Sequence, residues 1–242
     1  MADGLDYFKQ VYGTVPTWIR TMHAHNPNML THYTALRSEA FAAAALSGRD
    51  KDELVMAVNM ARLYAPSMLN HVKGAVAGGM GIAHAIEYAL VAYIYRGEAA
   101  LLLSLEAIAA VLVLQGQVVP TALRTATTVS EALAACSEVT TAEHRAYLAM
   151  VTPLVVNQQH GELVSAVFKQ GVVGTNMKLL AMLGNHIVGL KGQQAHGWLQ
   201  QARQAGVSDA ELADLGFVCL LTAGIPAWFE LCDLLAVPPQ SR

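Results

Sequence analysis

Between its glycines and prolines the chain runs for long stretches of Ala, Leu and Met, with little alternation of β-branched and polar residues. Such runs are too long for strands and set apolar side chains at helical spacing, so they predict an all-α fold. The stretch "SGRDKDELVMAVNMARLY" (Ser47 to Tyr64) starts with a polar, charged turn and becomes periodic from Leu54 onward, which marks a helix start. In "GVSDAELADLG" Ser208 stands three residues before Glu211, the spacing of a capping box. "GTVPTW" and "HAHNPNML" read as loops or helix ends, because the residue before a proline resists the α region.

The helical runs recur. Gly79 and Gly97 are 18 residues apart, as are Gly206 and Gly224, and an acidic residue, Glu87 or Asp214, sits eight after the first glycine of each pair. Upstream, "HNPNMLTHYTAL" has a fainter echo in "QHGELVSAVF". One near-constant offset for all these matches predicts two tandem repeats, 1–115 and a divergent 142–242. The Thr- and Ser-rich segment 116–141 would connect them, with a helix of its own.

The 242 residues allow an ample core, and 54% hydrophobic against 14% charged is apolar for a lone subunit, which predicts a homo-oligomer. A net charge of −3 without a basic cluster excludes a phosphate backbone as partner, so no nucleic acid is expected. The most membrane-like segment, Ala99 to Gln115, is shorter than the ~20 apolar residues of a span and carries Glu106, so no membrane partner is expected either. Three cysteines in no CxxC arrangement, behind an N-terminus without a signal peptide, point to the reducing cytoplasm.

The ordered series "YGTVPTWIRTMHAHNPNMLTHYTALRSEAF", a helix starting at "DKDEL", His71, a glycine eight residues on, an acidic residue eight after that and "YRG" resembles the carboxymuconolactone decarboxylase and alkylhydroperoxidase D-like family. The resemblance implies an all-helical fold whose repeats assemble into dimers, trimers or hexamers. It also implies either peroxide reduction or cofactor-free decarboxylation of a lactone. Peroxidase members carry CxxC, a histidine four residues later and a glutamate 19 before that histidine. Those positions fall here on Tyr64 and Ser67, on His71 and on Asp52. Peroxide reduction by that route needs an attacking thiolate and a resolving thiol, which a tyrosine and a serine do not supply. In the second half, Trp198 falls opposite His71, Leu179 opposite Asp52, and Lys191 and Gln194 at the thiol positions, which reads as a structural copy.

What remains is proton chemistry. On a continuous helix, Tyr64, Ser67 and His71 would share one face, although Pro66 puts Ser67 near a helix start, where backbone N–H groups favour an anion. The expected catalytic set is His71 as general base or acid, Glu87 as its orienter, and Tyr64 and Ser67 as donors to developing negative charge. Asp52 and His84, the latter at i, i+3 from Glu87, are expected to bind substrate. The substrate would be a small, carboxylate-bearing acid or a lactone, decarboxylated, isomerised or hydrated without cofactor. The competing readings are a core histidine beside a tyrosine that merely fills a lost cysteine's space, an interfacial or surface role for Glu87, a non-catalytic scaffold or binding protein, and, third, residual alkylhydroperoxidase-type peroxide metabolism. Asp52, in a helix's first turn, would also suit the helix dipole alone. Among the nine histidines the best metal cluster is His23, His25 and His32, but no spacing sets three ligands on one face, so no metal is expected.

Overall fold

The computed structural model describes residues 4–232 and residue 235. Among them the chain is an all-α bundle of fifteen α-helices and one 3-10 turn, with no strand. At its centre lie α4 (Gly48–Arg62) and α12 (Thr175–Val188). Each is buried around almost its whole circumference, including polar side chains such as Lys51 and Lys178. The two approach so closely that a Cβ on Gly184 would stand 2.7 Å from Val58 Cγ1, so only glycine fits the crossing.

Around α4 pack α5 (Ala65–Ala77), α6 (Ile82–Arg96) and α7 (Glu98–Leu114). The elements that begin at Gly48, Ala65, Ile82 and Glu98 are matched, 127 positions later, by elements that begin at Thr175, Gly192, Asp209 and Ile225. The second set comprises α12, the 3-10 turn Gly192–Ala195 with α13 (His196–Gln204), α14 (Asp209–Ala223) and α15 (Ile225–Cys232). Backbone details keep the same offset: Leu63 and Leu190 are both left-handed, and so are Gly79 and Gly206. A glycine is needed before α7 and α15 as well, where Gly97 and Gly224 both have φ near +81°.

Two buried ion pairs obey the same relation and cross between the sets. Lys51 on α4 meets Asp214 on α14 at 3.2 Å, and Lys178 on α12 meets Glu87 on α6 at 2.7 Å. Backbone N–H groups complete both, from Leu46 to Asp214 and from Val173 to Glu87. The capping box at Ser208 and Glu211 forms, and a second one closes α4 between Ser47 and Asp50. That start at Gly48 puts Asp52 one turn further in than its sequence position suggested. The segment 116–141 holds two helices, α8 (Thr121–Thr125) and α9 (Val129–Val139). α10 (Ala142–Val156) and α11 (His160–Lys169) lead from there into α12.

The N-terminal helices α1 (Gly4–Tyr12), α2 (Thr17–His25) and α3 (Pro27–Phe41) form a small satellite core of Phe8, Ile19 and Leu30. Asn26 caps α3 by accepting from the Met29 N–H, which explains the break at "HNP". No helix among the described residues is long and apolar enough to cross a membrane. The membrane-like run is α7, which packs within the core and turns Glu106 to solvent.

Candidate active site

The chain between α4 and α5 turns sharply, with Leu63 at φ +60° and Tyr64 at the N-cap of α5. Tyr64, Ser67 and His71 therefore do not share one continuous helix; Tyr64 precedes it and is half-exposed. All three nevertheless line a single cavity of about 400 Å³. The satellite helices supply Tyr12, Trp18, Tyr33, Arg37 and Phe41 to its walls, and Leu221 and Thr222 come from the end of α14. Arg62 ties that end in place by donating from Nη1 to the Thr222 carbonyl at 2.5 Å.

His71 stands on the buried side of α5, with its ring stacked on Phe41 at 5.2 Å and 14° between planes. Its Nδ1 lies 2.7 Å from Asp52 Oδ1. An ionised carboxylate only accepts, so Nδ1 carries the proton and Nε2 keeps its lone pair. Burial pushes the His71 pKa below its ordinary value; the Asp52 bond opposes this, and the Arg37 charge adds to the lowering. The imidazole is thus neutral at pH 7, the form a general base requires.

Asp52 reaches His71 only because Gly74 gives it room, since a Cβ at Gly74 would overlap the carboxylate. Ser67 Oγ accepts from Asn59 Nδ2 at 3.1 Å, which leaves its own proton to donate. Arg37, only 6% exposed, donates from Nη1 to Tyr7 OH at 2.7 Å and from Nη2 to Tyr12 OH at 3.3 Å. Its guanidinium also lies 4.6 Å from the Phe41 ring centroid, so Phe41 is flanked by both Arg37 and His71.

Glu87 and His84 lie elsewhere, which corrects the placement expected from the sequence. Glu87 accepts from Lys178 Nζ at 2.7 Å, His144 Nε2 at 3.1 Å, and the N–H groups of Val172 at 2.7 Å and Val173 at 2.9 Å. Four donors saturate its two oxygens, so it orients no cavity histidine; Asp52 has that position instead. His84 sits in the first turn of α6, its Nδ1 accepting from the Gly81 N–H at 3.4 Å, outside the cavity lining. Asp52 is not on the cavity wall either but behind His71.

Arg37 and Phe41 carried no sequence signal beyond their place in "HYTALRSEAF", since a lone arginine on a helix ordinarily reads as solvated. Cys136 and Cys219 are buried and away from the cavity, and burial pushes both thiols up to about 12, so neither is a thiolate at neutral pH. No three His, Cys, Asp or Glu side chains among the described residues gather as metal ligands. Compared with family models and with curated proteins, the chain gives no match, so the family resemblance stands on the sequence motifs alone.

Proposed function

We propose that this is a carboxymuconolactone decarboxylase-like protein that carries out cofactor-free, cysteine-independent acid–base chemistry on a small organic acid or lactone. The observation that carries this reading is the Asp52–His71 pair, a buried neutral imidazole held in one tautomer beside a cavity. His71 Nε2 takes a proton from carbon or oxygen next to a carbonyl, and Asp52 stabilises the imidazolium that results. The Ser67 hydroxyl donates to the oxygen on which negative charge develops. Returning the proton at another carbon isomerises the substrate. Loss of carbon dioxide followed by protonation of the enolate decarboxylates it. Homo-oligomer formation belongs to the same reading and is supported by exposed apolar side chains such as Ile225 and Phe229.

The test is turnover of a panel of small carboxylic acids and lactones by the wild type, His71→Ala and Asp52→Asn. His71→Ala is expected to lose about 10²–10⁴-fold in rate while retaining ligand binding. Because the His71 pKa is lowered, the wild-type rate should be flat above pH 6.5 and fall only as pH drops through that lowered value. Binding without turnover in all three proteins would leave a non-catalytic binding protein. Consumption of hydroperoxide with a dithiol reductant would return the peroxidase reading.

A further inference from the structure

Buried cations in this molecule follow a rule that Arg37 breaks. Lys51 and Lys178 are each 1% exposed or less, and each is neutralised by a carboxylate. Arg37 is nearly as buried, yet no carboxylate among the described residues pairs with it. Its hydrogen-bond partners among the described residues are two phenols, Tyr7 and Tyr12, which engage two of its five N–H groups. The rings of Phe41, Tyr7, Phe8 and Tyr12 near its charge soften the desolvation without supplying a counter-charge. Uncompensated buried charge is costly, and the position 127 residues later carries none, being Val164.

Arg37 lines the same cavity as His71, so the missing anion has a place to come from. We infer that Arg37 anchors the carboxylate of a planar, aromatic or conjugated acid in this cavity. This inference names the substrate class for the proposed acid–base site and rests on that reading for its chemistry, though not for the binding itself. A guanidinium fork matches a carboxylate with two parallel hydrogen bonds. The walls around it are the rings of Trp18, Tyr33 and Phe41, which favour a flat π-system over a saturated ring.

The probes are benzoate, benzamide and cyclohexanecarboxylate, with binding measured by calorimetry on the whole chain. Benzoate should bind the wild type about tenfold or more tighter than its neutral amide, the size of one charge-assisted hydrogen bond. It should also bind more tightly than the saturated acid. Arg37→Met should abolish the preference for benzoate over benzamide, and Arg37→Lys should restore only part of it, with folding of each checked by helical circular dichroism.

Equal binding of benzoate and benzamide by the wild type, or no binding of either, overturns the inference whether or not the variants fold. So does a folded Arg37→Met that binds benzoate as the wild type does. Tight benzoate binding that survives His71→Ala, with no acid turned over by the wild type, would sink the acid–base reading and leave the anchor standing. Turnover of a neutral lactone by Arg37→Met, with no benzoate preference in the wild type, would do the reverse.

Discussion

Two matched regions of this bundle differ in a way that separates fold from chemistry. In the first, Phe41 stacks on His71; at the same offset in the second, Phe168 stacks on Trp198, with centroids 4.9 Å apart. Around the first pair stand Arg37 and Asp52, and at the corresponding places of the second stand Val164 and Leu179. The helices and the aromatic stack are thus built equally well with or without the charged groups. By contrast, the crossed ion pairs Lys51–Asp214 and Lys178–Glu87 are present in both regions. Charges kept in both places hold the bundle together, whereas Arg37 and the Asp52–His71 pair are found in only one, at the cavity.

The largest effect should come from breaking the bundle's own ion pairs. Glu87→Ala removes the acceptor for Lys178, His144 and two backbone N–H groups at once, and should cost about 3–5 kcal/mol in a urea titration. Asp214→Ala takes an acceptor only from Lys51, which still donates to the Ala42 carbonyl at 2.6 Å, and from the Leu46 N–H, and should cost less, roughly 1–3 kcal/mol. Benzoate affinity per folded molecule should be unchanged in both.

The Glu87 contribution has a pH signature. Burial pushes its carboxyl up, but the bond from His144 and the Lys178 charge and bond outweigh it, so the folded pKa lies below 4.5. The stability it confers is therefore fully present above pH 4.5 and is lost as pH falls through the lower folded value. Equal costs for the two substitutions would erase the distinction between a four-donor and a two-donor site.

The comparison also predicts that the first region tolerates the second region's residues. The triple variant Arg37→Val, Asp52→Leu, His71→Trp replaces three buried or half-buried polar groups with apolar ones. Such exchanges are often neutral or stabilising by about 1–4 kcal/mol. The variant should match or exceed the wild type in its urea midpoint while losing benzoate binding and turnover. If it fails to fold, the polar set is structural and the separation of the two regions collapses.

Much of this was legible in the sequence, for identifiable reasons. Helix class follows from local periodicity, and the capping box at Ser208 from a four-residue pattern. The glycine offset was legible because a backbone with φ near +81° before α7 and α15 selects glycine in both places. The crossed partners were not legible, since Lys178 and Glu87 are 91 positions apart and meet only through the packing of α12 on α6. The i, i+3 spacing of His84 and Glu87 suggested a pair, but His84 turns to the Gly81 N–H while Glu87 takes Lys178 and His144 from distant helices. Asp52 stood at the acidic position of the family that the motifs resemble, yet its bond to His71 depends on Gly74, which no local pattern marks.

Gly74 offers the gentlest way to sharpen the comparison. An interior helix glycine replaced by alanine ordinarily gains roughly 0.5–1 kcal/mol. Gly197→Ala, in the first turn of α13 with nothing within 4 Å of the new Cβ, should be neutral or gain up to that amount. Gly74→Ala should instead lose about 1–3 kcal/mol, because its Cβ would overlap the Asp52 carboxylate. The corresponding second-region position is Gln201, where a side chain is tolerated opposite Leu179. Displacing Asp52 also removes the bond that holds the His71 pKa up against burial. The imidazole should then titrate lower still in a proton NMR pH series, and turnover should fall toward that of Asp52→Asn. A Gly74→Ala protein with unchanged His71 titration and unchanged rate would mean that Asp52 does not set the state of the imidazole.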